Sequence, residues 1–108
     1  MTVKALSGLE FFESVVLPEP DREITGVYIG DLLSWVMGRA CSGDAWITIM
    51  SNVNILAVAS LTDTSCIILA EDVSLDDEII ETAKQKGINI LSSSTDIYDT
   101  AVFLSQII

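Results

Sequence analysis

Residues 45–70, AWITIMSNVNILAVASLTDTSCIILA, decide the fold, because two short apolar runs flank a longer one and no Lys or Arg interrupts them. The outer runs, 45–50 and 65–70, are rich in β-branched residues, which is typical of buried strands. Parallel neighbouring strands need a crossover of roughly a dozen residues, usually a helix. Residues 53–62 have about that length. The stretch therefore predicts a βαβ unit.

Apolar periodicity on both sides of this unit predicts further strands and helices. The predicted strands are 9–16, 24–29 and 88–91, and the predicted helices are 2–6, 32–40, 75–86 and one at the end of the sequence. The predicted helix N-caps are Thr2, Asp31 and Ser74, and the predicted left-handed stops are Gly8 and Gly87. Strands that alternate with helices imply a parallel sheet covered on both faces. We expect a single α/β domain over residues 1–108, with a mostly parallel sheet of about five strands.

Composition restricts the partners that we expect. Sixteen acidic residues against five basic ones give a formal charge of −11, and this field repels nucleic acid and anionic membranes. No apolar run reaches the ~18 residues of a membrane span, and the N-terminus lacks the apolar core of a signal peptide. Half of the residues are apolar, which suggests surface buried against another chain. We expect a cytoplasmic protein with no nucleic-acid or membrane partner.

Catalytic and metal sites are poorly supported by the residue types present. The chain has no His, which excludes zinc bound by Cys and His and any Ser-His or Cys-His nucleophile. Cys66 lies in an apolar strand and is expected to be buried, while Cys41 follows a helix and is either a reactive or an inert thiol. We therefore expect no catalytic residue, no metal and no cofactor.

Polar residues follow several of the predicted strands, at the edge where ligands bind to open parallel sheets. The loop 92–95 precedes a helix N-terminus, whose free N–H groups favour a phosphate or carboxylate. Ser, Thr, Asn and Asp are also ordinary helix caps, so a purely structural interpretation stays open. The candidate ligand-binding residues at this edge are Gly30, Asp31, Ser51, Asn52, Ser92, Ser93, Ser94 and Thr95.

The segment DREITGVYIG, read together with residues 44–72, resembles the DRTGG domain family. The matching residues are Asp21, Arg22, Thr25, Gly26 and Gly30, with Glu23 and Ile24 interrupting the spacing. The resemblance implies an α/β module similar to the N-terminal domain of HPr kinase. Such modules occur in some phosphotransacetylases and between CBS modules of regulated pyrophosphatases, where a regulatory or dimerising role is implied. Arg22, Thr25 and Gly26 therefore join the candidate ligand-binding residues.

Kinase activity is not implied by this resemblance, because the chain lacks the Gly-x-x-x-x-Gly-Lys-Ser/Thr loop of a kinase domain. We expect a non-enzymatic regulatory domain that homodimerises and senses a small anionic or nucleotide-like ligand. The dimer would bury either the helix 53–61 or the apolar tail 102–108. The alternative is a structural adaptor that docks in trans on a larger partner enzyme and has no ligand of its own.

Overall fold

The computed structural model describes residues 1–108 and places a five-stranded sheet between two layers of helices. Along the chain the elements are α1 (Val3–Ser7), β1 (Phe12–Val16), β2 (Gly26–Ile29), α2 (Leu33–Arg39), β3 (Asp44–Thr48), α3 (Asn54–Thr62), β4 (Cys66–Leu69), α4 (Asp77–Lys86), β5 (Ile90–Ser93) and α5 (Ile97–Ile107). The strand order is β1-β5-β4-β3-β2, and only β1 runs antiparallel to its neighbour. The predicted α/β fold is confirmed, with β3-α3-β4 as its βαβ unit.

The central strands contribute side chains to two separate apolar cores, one on each face of the sheet. Ala45 and Ile47 of β3 pack with α1 and α5, whereas Trp46 between them packs with α2, α3 and α4. Both β3 and β4 are buried along their whole length, because helices cover both faces of a parallel sheet. This double covering explains why these strands read as unbroken apolar runs. None of the five helices combines the length and the apolar composition that a membrane span requires.

Helix α3 is covered by a neighbouring helix as well as by the sheet. Its inward side buries Ile55, Leu56 and Val58, and α2 packs across it through the fully buried Val36. Leu61 on the same helix remains 74% exposed. The apolar residues that the sequence places all around this helix are therefore only partly buried within one chain.

Two predicted helix starts were wrong. Helix α2 begins after Leu32, which makes no side-chain cap bond, and Asp31 instead accepts hydrogen bonds through Oδ1 from Thr48 Oγ1 at 2.8 Å and Ile49 N at 3.0 Å. These donors at the end of β3 use the carboxylate that would have capped the helix. Helix α4 begins after Asp76 and not after Ser74, again without a side-chain cap bond. Thr2 is confirmed as a cap, because it accepts from Ala5 N at 3.1 Å.

Strand β5, which lies between β1 and β4, begins two residues later than predicted. Antiparallel pairing with β1 sets Phe12 opposite Ser93 and Glu13 opposite Ser92, so these two serines belong to a strand and not to a loop. The predicted strand 9–16 begins only at Phe12, because Glu10 adopts a φ of 42° in the preceding turn. Gly87 is confirmed as a left-handed stop with φ 73°, whereas Gly8 has φ −95° and is not left-handed.

Candidate functional site

The motif residues Arg22 and Thr25 lie where the parallel strands begin, at what we call the amino edge. Arg22 Nη2 donates to the backbone oxygen of Asp63 at 2.6 Å and forms an ion pair with its carboxylate at 2.8 Å. Gly43 N donates to the same backbone oxygen at 3.0 Å, and Thr25 N donates to Gly43 O at 3.0 Å. Asp63 ends α3 in a left-handed conformation. These bonds tie the end of α3 to the starts of β2 and β3.

Gly26 is required by a close approach at the same edge. A Cβ there would lie 2.5 Å from Oδ1 of Asp44, a carboxylate that is only 8% exposed and whose Oδ2 accepts from Cys41 N at 2.8 Å. A larger residue would have to displace this buried carboxylate. The contacts of Arg22, Thr25 and Gly26 thus organise the amino edge of the sheet.

A polar cleft of about 210 Å³ opens beside this edge, between the ends of α3 and α4. It is lined by Arg22, Ala59, Ser60, Asp63, Thr64, Lys86, Gly87 and Ile88. Thr64 is 7% exposed and its Oγ1 has no hydrogen-bond partner. The pKa of Asp63 is lowered by the hydroxyl of Ser42, which donates to its Oδ2 at 2.5 Å, and by the guanidinium of Arg22. Lys86 forms no ion pair.

A second cavity of about 470 Å³ lies between β2 and α5, and we call it the β2 groove. It is lined by Thr25, Gly26, Val27, Ile29, Ala101, Leu104, Ser105 and Ile108. None of these side chains is charged, and five of the eight residues are hydrophobic, so the groove suits an apolar group or a polypeptide.

At the predicted ligand edge, where the strands end, most polar groups form hydrogen bonds within the chain itself. Ser93 is buried and shares a 2.8 Å hydrogen bond with the hydroxyl of Thr100. Ile97 N at the start of α5 donates to Glu71 Oε2 at 3.0 Å, and Asp99 N donates to Asp96 Oδ1 at 2.7 Å. Two of the protein's own carboxylates therefore occupy N–H groups that would otherwise bind an anion.

The remaining candidates at this edge also bond locally. Gly30 O accepts from Trp46 Nε1 at 2.9 Å, and Asn52 Oδ1 accepts from Asn54 N at 2.9 Å. Ser94 N donates to Phe11 O at 3.1 Å, Thr95 O accepts from Glu71 N at 2.8 Å, Ser92 is half-buried on β5, and Ser51 is exposed. Neither cavity opens here, and no three Cys, Asp or Glu side chains are grouped to hold a metal ion.

The sequence analysis missed the residues that complete both cavities. Lys86 lies in the last turn of α4, where a cation ordinarily complements the helix dipole and so gives no sign of a site. Thr64 carried no signal because its burial depends on distant elements. The β2 groove did leave a signal, because the segments 24–30 and 100–108 contain no charged residue. These two uncharged segments form its walls.

The two thiols differ in their exposure and in their expected reactivity. Burial raises the pKa of Cys66 to about 12, whereas Cys41 is exposed. Because the thiolate is the reactive form, we expect an aromatic disulfide reagent at about pH 8 to label Cys41 and leave Cys66 unmodified. Cys41→Ser should abolish labelling of the folded protein and retain it in denaturant. Rapid labelling of folded Cys41→Ser would contradict this expectation.

Comparison with known proteins agrees with this architecture. The family model of the DRTGG domain matches residues 20–107. A solved structure of the CBS and DRTGG domains of the regulatory region of Clostridium perfringens pyrophosphatase, complexed with its activator diadenosine tetraphosphate, is similar in fold, with a TM-score of 0.68 and 20% identity. The similarity covers 88% of this chain and 42% of that one. No curated protein sequence matches. On the extent of the family match, this chain belongs to the DRTGG domain family.

Proposed function

We propose that this chain is a non-enzymatic regulatory domain that homodimerises and senses a small anionic or nucleotide-like ligand. The similar pyrophosphatase region is regulatory and is complexed with a polyanionic dinucleotide, and it contains CBS domains as well as a DRTGG domain. This similarity supports the regulatory class. The observation that supports a bound anionic ligand is the buried, unpartnered hydroxyl of Thr64 in a cleft with two cations.

The cleft's charges favour an anion over a cation. Two cations, Arg22 and Lys86, and one carboxylate, Asp63, line the cleft. The carboxylate already bonds Arg22 and Ser42. An unpartnered buried hydroxyl costs about 1–3 kcal/mol, and donation from Thr64 to a phosphate oxygen would remove that cost. The ends of α3 and α4 oppose an anion through their dipoles, so binding depends on both cations and weakens with salt.

Thermal shift and titration calorimetry with inorganic phosphate, ATP and diadenosine tetraphosphate test this proposal. A ligand bound only by the folded state must raise the Tm. Lys86→Gln should weaken binding of the shifting compound by about tenfold, the equivalent of 1.4 kcal/mol. Lys84→Gln is the matched control, because it makes the same charge change outside the cleft, and it should leave the Kd within about twofold.

Thr64→Val separates binding from folding in the same assay. Valine has nearly the same shape and removes the unpartnered hydroxyl, so the free protein should gain about 1 kcal/mol of stability while ligand affinity falls. Equal losses in Lys86→Gln and Lys84→Gln would indicate general electrostatics and contradict the cleft. No Tm shift with any compound would contradict the sensing half of the proposal.

The adaptor alternative is supported by the β2 groove, whose apolar walls can receive a polypeptide without any small ligand. An adaptor of this kind would show neither a thermal shift nor self-association, and it would bind a larger enzyme through this groove. The two readouts, Tm and molecular mass, therefore distinguish the adaptor from the sensing homodimer.

A further inference from the structure

Strand β2 ends the sheet with one side unpaired. It lies at the edge opposite β1 and pairs only with β3. Soluble proteins protect such edges with Lys, Pro, bulges or a covering segment, because unpaired strand edges recruit other strands. The four residues of β2, GVYI, contain no charge and no proline, and Ile29 is 46% exposed.

The chain already adds a segment to this edge just before β2. Ile24 N donates to Met1 O at 2.9 Å, and Thr2 forms an antiparallel bridge with Glu23. Thr25 N points the other way and donates to Gly43 O before β3. Further along, Gly30 N donates to Ile47 O of β3 at 3.2 Å. Because N–H direction alternates along an extended strand, Tyr28 N also faces β3, and Val27 and Ile29 present their N–H groups to the open side. Antiparallel pairing thus begins at this edge and stops where β2 begins.

Charge also distinguishes this side of the molecule. The chain carries a net charge of −11, so two copies repel each other at most orientations. The β2 groove is formed by the uncharged segments 24–30 and 100–108. Contact through the groove brings no carboxylate side chain from either wall against the partner. This absence of side-chain charge favours a second copy of the same chain as the occupant.

We infer that two copies pair antiparallel through β2 across a two-fold axis, which would join their sheets into one of ten strands. The inference rests on the homodimer in the proposed function and assigns its surface. A two-fold axis makes the contact self-complementary, so each β2 supplies the strand that the other lacks. Each groove then faces the partner, where Ile29 and Ile108, 46% and 42% exposed, lose their contact with water.

A dimer interface of ordinary size would bury a modest share of the surface of this molecule. Stable interfaces bury about 800 Å² per partner, which is roughly 15% of the 5515 Å² surface of the chain. Of the two expected dimer surfaces, the tail 102–108 contributes Leu104, Ser105 and Ile108 to the groove, whereas α3 contributes nothing to it. The tail is therefore assigned to the interface together with β2.

Sedimentation equilibrium of the whole chain over a dilution series tests this surface. Ile29→Glu places two carboxylates at the proposed interface, one from each copy, and should weaken dimerisation by about 100-fold. Leu61→Glu is the matched control, because Leu61 is 74% exposed outside the groove, and it should change the dimer Kd by less than about threefold. Both positions are exposed, so both variants should fold with wild-type circular dichroism.

Hydrogen exchange supplies a second readout that depends on strand pairing. The N–H groups of residues 27 and 29 should exchange more slowly in the wild-type dimer than in Ile29→Glu. A wild-type monomer at about 100 μM would overturn the homodimer and this inference together, while leaving the ligand readouts of the proposed function intact. A dimer that survives Ile29→Glu, or exchanges these two N–H groups as fast as the monomer, would overturn the β2 assignment alone.

Discussion

Trp46→Ala is expected to lower the free energy of unfolding by about 3–5 kcal/mol. Trp46 is fully buried in the core shared by α2, α3 and α4, and its Nε1 donates to Gly30 O at 2.9 Å. Alanine would leave a cavity where the indole packs and an unpaired carbonyl at the end of β2. Domains of this size are stable by about 5–15 kcal/mol, so the variant should be near the limit of folding.

Urea unfolding followed by far-ultraviolet circular dichroism measures this change without relying on tryptophan emission. Trp46→Phe is the matched variant, because it retains most of the apolar volume and loses only the indole N–H. It should cost about 1–2 kcal/mol, through the unsatisfied carbonyl and the smaller ring. An alanine variant within 1 kcal/mol of wild type would show that Trp46 is not central to this core.

Burial on both faces explains why the fold could be predicted from the sequence around Trp46. A parallel strand covered by helices on each side leaves no polar residue in its interior, and β3 and β4 accordingly read as apolar runs. The limits of β5 could not be predicted in this way. Ser92 and Ser93 enter the strand through pairing with Glu13 and Phe12, about eighty residues earlier in the chain.

The candidate site was harder to predict because polar side chains have several available uses. Ser, Thr, Asn and Asp at strand ends suggest a ligand edge, yet Asp31 bonds the end of β3 and Ser93 bonds Thr100. Local sequence does not reveal these partners. The polar cleft likewise depends on Arg22 meeting Asp63 forty-one residues later, a contact that only the folded chain creates.

The uncharged segments 24–30 and 100–108 were the one long-range signal that the sequence did contain. Each segment alone is compatible with an ordinary buried element, and the pattern of apolar residues gives no reason to join them. Their common absence of charge acquires meaning only when β2 and α5 are seen to form one groove. Charge distribution compared between distant segments is therefore a useful guide to self-association in a strongly acidic chain.

Gly43→Ala is expected to lower the free energy of unfolding by about 2–3 kcal/mol. Gly43 has φ 87°, a conformation that strains any residue with a Cβ, and that Cβ would collide with Oγ1 of Thr25. Thr25 is β-branched and has few alternative rotamers. The same glycine bonds Thr25 N, Asp63 O and the hydroxyl of Ser65, so displacement would disturb the whole amino edge.

Gly87→Ala separates backbone strain from collision in chemical denaturation. Gly87 also has positive φ, 73°, but its Cβ would meet no atom closer than 3.7 Å, so its cost should be about 1 kcal/mol, from the left-handed backbone alone. The extra cost at Gly43 then measures the contact with Thr25, and Thr25→Ala should recover about half of it because the colliding hydroxyl is gone. Equal costs at the two glycines, or no coupling between Gly43 and Thr25, would show that the collision relaxes without loss and that only the backbone conformation restricts position 43.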